Sequence, residues 1–574
     1  METKIGLLAG VAVIAVTLGA GVQAATPKAK RHHHTAPPTA VVDPDAALKA
    51  EVSELREQVD ALKSWRDSQV ASSEQAQAQI AQVKAQLADA QAQAQAAQAK
   101  VDAQIETIPS DVKTEIAAET PKDGKIHYKG VTLTLGGFAA AEVVDRTKSE
   151  EADIGSSFSK IPFANAPLNH VGELRGTARQ SRLSLLVEGD INPDTHAAFY
   201  SEFDFLAGPQ TGNSNESNSF SPRIRNVYGT LGWDSLGLQV LAGQSWSLAT
   251  LNGKGITPRN EVIPPTIDAQ YVAGFTWARQ PQFRVTANFD QKQLWAAVSL
   301  ENPQTTFASA ATGTTGTSVA GLTVTDNGVS VSQFDTANTL SINRAPDVIG
   351  KVAFEPDIMG ARPVHAEVYG VYRNYVDRVN VTSASNVLGL PVGANNVSTD
   401  GGGIGWGVTW AAVPKLLDLE TSGLTGRGVG RYGSGQLPDT VVGANGELKA
   451  IPETMLMAGG TLHATPALDL YVFGGEEREK ALYSVIGTSY YGFGSPSANL
   501  AGCLVEGGTC TADIRLMQQI TAGFWDKIYQ GSFGQVRIGL QYSFTQLNAF
   551  AGLTGVGPKT NDNMIFASFR YYPF

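Results

Sequence analysis

The stretch Gly534-Gln535-Val536-Arg537-Ile538-Gly539-Leu540-Gln541-Tyr542-Ser543-Phe544 changes side-chain character at every step. In an extended chain Val536, Ile538, Leu540, Tyr542 and Phe544 share one face, and Gln535, Arg537, Gly539, Gln541 and Ser543 share the other. A single strand of this kind suits a water-soluble sandwich as well as a membrane barrel. The decision lies in how often the pattern recurs and how its copies are joined. Reading outward, alternation predicts strands near 131–145, 179–190, 195–206, 223–232, 237–247, 280–290, 293–302 and 347–356. It continues near 364–375, 404–412, 416–425, 454–464, 468–478, 514–528, 534–548 and 563–574, about sixteen strands in all. Short connections such as Asn192-Pro193-Asp194, Trp233-Asp234-Ser235 and Pro466-Ala467 alternate with long ones such as 146–178, 248–279, 303–346 and 479–513. An even strand number with long loops segregated to one end is the pattern of an all-β transmembrane antiparallel barrel. A sandwich has no reason to sort its loops this way.

Composition agrees with that reading. Only 17% of the 574 residues are charged and 60 are Gly, while the mean hydropathy is −0.10. Beyond the extreme N-terminus, no apolar run approaches the ~20 residues of a spanning helix, so a helical membrane bundle is excluded. A net charge of −11 argues against a nucleic-acid partner. Two cysteines exclude a disulfide scaffold; Cys503 and Cys510 lie close together in a long loop of an exported chain and are expected to pair.

The N-terminal part is organised differently. Residues 1–24 combine Lys4, an apolar run from Ile5 to Val16 and the small-residue ending Val22-Gln23-Ala24, the pattern of a secretory signal peptide. Residues 25–45 form a basic His/Pro linker with His32-His33-His34. Over 46–108, seam positions Leu48, Val52, Leu55, Val59, Leu62 and onward to Ile108 recur every three or four residues, which predicts an α-helical coiled-coil stalk about 90 Å long that associates with copies of itself. A second linker, 109–125, precedes the barrel at 126–574. The terminal Phe574, with Tyr572 two residues before it, is the kind of signal that the barrel assembly machinery reads, and the barrel's outer face is expected to meet outer-membrane lipid.

Alternation also assigns the lumen. If Leu183, Leu185 and Val187 face lipid, then Arg182, Ser184 and Glu188 face inward; likewise His196, Tyr200, Glu202 and Asp204 face inward. Phe283, Val285, Ala287 and Phe289 outward leaves Arg284 inside. The assignment has force because an Arg or Lys facing mid-depth lipid costs about 2–4 kcal/mol. The 223–231 strand is ambiguous, because putting Arg223 and Arg225 inside turns Val227 and Leu231 inward too; the same cost favours the Arg-inside choice. Arg182, Arg223, Arg225 and Arg284, with Arg179 and Arg279 near the strand ends, then form an anion-attracting wall, and Glu202, Asp204 and Glu188 are the opposing acids. No nucleophile elbow, phosphate-binding Gly loop or zinc spacing occurs, so no enzyme, cofactor or metal site is expected.

Several segments resemble the DcaP-like trimeric porins of Gram-negative outer membranes, which also carry an N-terminal periplasmic coiled coil. These are Ala178-Arg179-Gln180-Ser181-Arg182, Tyr200-Ser201-Glu202-Phe203-Asp204-Phe205, Arg223-Ile224-Arg225-Asn226-Val227-Tyr228-Gly229, Gly243-Gln244-Ser245-Trp246-Ser247, Arg279-Gln280-Pro281-Gln282-Phe283-Arg284 and Leu300-Glu301-Asn302-Pro303. The resemblance implies a sixteen-stranded barrel, a homotrimer and passive diffusion of small anions such as dicarboxylates. It is concentrated between 178 and 303, and the His/Pro linker and long loops 303–346 and 479–513 depart from it. Loop 248–270 holds the slot of the inward-folded constriction loop of general porins, with Lys254, Arg259, Glu261 and Asp268 expected to narrow the channel. The competing reading is a structural or adhesive outer-membrane protein, its stalk gripping peptidoglycan and its barrel a plugged anchor.

Overall fold

The computed structural model describes residues 125–574 apart from 207–219, 309–321, 326–340, 359–360, 385, 387 and 554, together with scattered positions between 56 and 92. The chain divides into two units, Met1–Pro121 and Lys122–Phe574. The signal peptide, the His/Pro linker and most of the stalk lie outside the described residues. The stalk positions that are described, Arg56, Val59, Asp60, Lys63, Ser64, Asp67, Gln82, Ala85 and Ala92, are helical and exposed.

The second unit is a closed antiparallel barrel of sixteen staves. They are β1 (Val131–Arg146), β2 (Arg182–Asn192), β3 (Thr195–Asp204), β4 (Arg223–Trp233), β5 (Leu238–Trp246), β6 (Arg279–Phe289), β7 (Leu294–Glu301) and β8 (Asp347–Phe354). The second half comprises β9 (Val364–Val381), β10 (Gly393–Val413), β11 (Leu417–Arg427), β12 (Pro452–His463), β13 (Leu468–Glu479), β14 (Ile514–Gly531), β15 (Gly534–Ala549) and β16 (Lys559–Tyr572). Each expected strand corresponds to one stave. Closure falls on β1, which pairs with β2 from Val131↔Gly189 to Phe138↔Arg182 and with β16 from Ala139↔Tyr571 to Arg146↔Met564. A closed ladder leaves no unpaired backbone edge toward lipid, the condition for strands to span a bilayer.

The faces are inverted relative to a soluble protein. Leu183, Phe283, Val298, Val368, Ile404 and Ile520 are exposed on the outer wall, whereas Arg146, Arg284, Lys351 and Arg373 are among the most buried side chains. In β15 the alternation falls as expected: Leu540 and Tyr542 point out, while Gln541 and Ser543 are buried inside.

Three local departures have physical reasons. The expected strand 179–190 begins only at Arg182, because 178–181 steps out of the ladder: the Gln180 side-chain amide donates to the Ile267 carbonyl at 2.6 Å, and the Ser181 hydroxyl accepts from the Ala140 amide at 2.9 Å. A short strand, Glu173–Thr177, resumes the pairing with β1 beyond the step. Second, β9 and β10 run well past 375 and below 404, pairing from Val364↔Trp410 to Val381↔Gly393 as a long hairpin whose unbroken ladder carries both strands beyond the expected ends. Third, a bulge in β4 inserts Arg225 between Ile224, paired with Phe203, and Asn226, paired with Glu202. The extra residue flips the side-chain parity. Arg223 and Arg225 therefore face inward while Val227, paired with Ser201, and Leu231, paired with Ala197, face outward. The expectation that Val227 and Leu231 turn inward with the arginines is corrected: alternation without a bulge forces that choice, and the bulge removes it.

Candidate functional site

The long connection after β5, residues 247–278, lies inside the barrel and is bonded to staves on several sides. The Lys351 ammonium on β8 donates to the Thr250 carbonyl at 2.7 Å, and the Asn252 amide donates to Glu367 on β9 at 3.3 Å. Farther along, the Ile267 amide donates to Gln541 on β15 at 2.5 Å, Ala273 to Gln519 on β14 at 3.0 Å and Gly274 to Glu477 on β13 at 2.8 Å. Gly274 has φ +84, and a Cβ there would strike the carbonyls of Leu456 and Glu476, so the segment presses backbone-first onto the β12–β13 wall.

The four charges expected to narrow the channel on this segment do not act as one group. Lys254 and Arg259 are exposed, and Arg259 reaches Glu188 on β2 at 3.3 Å. Glu261 is half-buried, and burial holds its carboxyl above the usual range against the opposing pull of Arg284. Asp268 is fully buried, turned into the protein, and accepts from the amides of Ser156 at 3.0 Å and Gln270 at 2.9 Å; burial raises its carboxyl as well. It ties the inward segment to the 147–172 loop.

The six expected arginines divide. Arg223 forks onto Asp204 with contacts of 2.9 and 2.8 Å, and Arg225 joins Glu202 and, at 3.0 Å, Asp204. Tyr200 donates to Glu202 at 2.9 Å. Glu202 and Asp204 thus sit within the same wall as the arginines and neutralise Arg223 and Arg225. Glu188 takes Arg259, as above. Arg182 joins this network only loosely: it pairs with Glu202 Oε1 at 3.7 Å, its Nε has no hydrogen-bond partner among the described residues, and it stacks over Phe138 at 5.2 Å. Arg279 is held between Trp246 at 4.7 Å and Trp277 at 5.1 Å. Arg284 donates to the Trp246 carbonyl at 2.5 Å and to Gln282 at 3.0 Å. Arg179 pairs with Asp153 at 2.7 Å and stacks over Phe220. Only part of the set gathers.

Two arginines missed in the sequence complete the wall. Arg570 on β16 bonds Glu142 at 2.9 Å and lies over Trp525 at 4.5 Å, while Arg537 on β15 donates to Gln535 and stacks over Tyr572 at 4.7 Å. The signal was present: Arg537 sits on the polar face of the 534–544 stretch, and Arg570 interrupts the last apolar run. Together Arg182, Arg225, Arg537 and Arg570 line one side of a cavity of about 640 Å³. Asp418 and Glu420 of β11 line the same cavity, and they too were readable, since Leu417 and Leu419 take the outer face. Among the described residues Glu420 has no ion pair, and its Oε2 is buried without a hydrogen-bond partner. In the long loop 480–513, Cys503 and Cys510 form a disulfide. Phe574 is exposed at the chain end.

Fold and lumen together define a sixteen-stranded barrel with an inward-folded loop and a charged interior passage. No family model and no curated protein matches the sequence. Among solved structures, the barrel is similar to the outer membrane channel DcaP of Acinetobacter baumannii, with a TM-score of 0.52 at 16% identity over 78% of this chain and 99% of that one. An anion-selective porin from Comamonas acidovorans aligns more loosely, with a TM-score of 0.40 at 12% identity over 77% of this chain and 99% of that one. The DcaP likeness establishes a shared fold, and it matches the family that the 178–303 segments resemble.

Proposed function

We propose that the protein is an outer-membrane porin for passive diffusion of small hydrophilic solutes, with a preference for those bearing a carboxylate. The observation that carries this reading is the cavity beside the inward loop, one side of which is built by Arg182, Arg225, Arg537 and Arg570. Guanidinium groups stay protonated and fork onto carboxylates. In a narrow passage with low-dielectric walls they raise the local anion concentration. Salt bridges to Glu202, Asp204 and Glu142 discharge Arg225 and Arg570, and Arg182 meets Glu202 only at 3.7 Å, which leaves Arg537 and the loosely paired Arg182 to meet a solute.

In this reading the short turns lie on the periplasmic side and the long loops outside, as in other barrels of this architecture. The chain is exported by its 1–24 signal, assembles through recognition of Phe574, and forms a homotrimer. Its 46–108 stalk extends into the periplasm, where peptidoglycan is the candidate partner. Planar-bilayer recording of the purified protein tests the central claim: stepwise open-channel conductance is expected, with a reversal potential displaced toward the anion side in a salt gradient. A sealed bilayer would leave the anchoring reading in its place.

A further inference from the structure

The passage is not simply basic, and its loosely paired groups include bases and acids. On the arginine side, Arg182 keeps an Nε without a hydrogen-bond partner and meets its ion-pair acid Glu202 at 3.7 Å, and among the described residues Arg537 has only Gln535 and the Tyr572 ring. Glu420 presents a carboxyl group without an ion pair among the described residues, and its neighbour Asp418 pairs with His463 at 3.1 Å. Asp469 nearby is balanced between His463 at 2.7 Å and Lys527 at 3.2 Å. Arg182, Arg537, Glu420 and Asp418 line one cavity. Its volume, about 640 Å³, is within the 300–1,000 Å³ typical of small-ligand sites.

Staves β15, β16, β2 and β4 supply the four arginines and β11 the two acids, so the two sets stand on separate arcs of a closed barrel, with Arg362 of the β8–β9 connection also on the lining. A solute with one charge gains on one side and is opposed by the other. A solute with a carboxylate at one end and an ammonium at the other gains on both, and the field across the lumen orients it. From this arrangement we infer that the chamber selects small dipolar solutes, ω-amino carboxylates in chemical class. Arg182 and Arg537 take the carboxylate and Glu420 with Asp418 takes the ammonium. The inference rests on the porin reading and narrows its substrate class.

The test is block of single-channel current in the full-length protein by three five-carbon probes that differ only in their end groups: 5-aminopentanoate, glutarate and 1,5-diaminopentane. The dipolar probe is expected to reach half-block at about one-tenth the concentration of either other probe, the equivalent of one added charge-assisted contact. Glu420→Gln is expected to raise its half-blocking concentration about tenfold and to strengthen block by glutarate, because a repulsion is removed. Arg182→Gln should weaken both carboxylate probes. Glutarate blocking as well as 5-aminopentanoate in the unaltered channel would overturn the inference while leaving the porin reading intact. Absence of any conductance would overturn both. The three-probe comparison needs no variant to fold.

Discussion

Arg225 shows how much one residue decides here. It is the inserted residue of the β4 bulge, and its guanidinium is buried between Glu202 and Asp204. Removing it leaves Glu202 without its close partner in a buried wall, while Asp204 keeps Arg223; breaking a buried pair in this way typically costs about 3–5 kcal/mol. Arg225→Leu is therefore expected to lower the unfolding midpoint of the detergent-solubilised barrel markedly. Arg182→Ser, which breaks only the 3.7 Å contact with Glu202, should leave the midpoint near that of the parent and shift the reversal potential toward the cation side. Equal midpoints for the two variants would show that the Arg225 network does not bind the wall together. The inward placement of Arg182, Arg223, Arg225 and Arg284 was legible because lipid penalises charge at fixed parity. The parity of Val227 and Leu231 was not, because a bulge is a register event between two strands and leaves no mark in either strand alone. The partnerships of Glu202 and Asp204 were likewise hidden: alternation gives the face of a side chain, not the neighbour it meets across the ladder.

At the scale of elements, the inward segment 247–278 is held by backbone contacts that sequence cannot announce. Its position after the fifth strand was readable, and its attachment through Gly274 was not. Gly274→Val places a branched side chain against two wall carbonyls at a positive φ, so the segment must lift. The expected outcome is a larger single-channel conductance with new tryptic cleavage after Lys254 or Arg259; an unchanged conductance would mean that another loop sets the constriction. The 147–172 loop is expected to respond to pH. Burial pushes the Glu150 carboxyl up to about 7, outweighing Arg146 at 3.8 Å and the Ser157 amide. A carboxyl raised in the docked state holds its proton more tightly there than in a released loop. Its contribution to docking is full below about pH 4.5 and is lost as pH rises through about 7. A spin label at Ala164 should gain mobility over that window, and Glu150→Gln should flatten the change. A parent profile already flat would refute the assignment.

At the scale of the whole molecule, a net charge of −11 conceals a passage with a locally basic side, because the sum mixes loops, outer surface and lumen. The near-neutral mean hydropathy is the informative average, since it follows when apolar and polar faces alternate along every stave. The same closure bears on the N-terminal unit. β1 completes the barrel by pairing with β2 and β16, and among the described residues before 131 only the short strand Ile126–Tyr128, folded back on Val131–Leu133, joins the sheet. If the 46–108 helix serves anchoring or trimer cohesion and not the channel, deleting 26–121 behind an intact signal peptide should still yield a heat-modifiable barrel. Its unit conductance should equal that of the full chain, while co-sedimentation with purified peptidoglycan should fall. Loss of the barrel itself would assign the helix a role in assembly, and undiminished sedimentation would move the wall contact to the short-turn rim. There the His196 ring spans Asp190 and Asp234 at 2.6 and 3.0 Å, and the His463 ring spans Asp469 and Asp418 at 2.7 and 3.1 Å, so charged groups line that end without help from the helix.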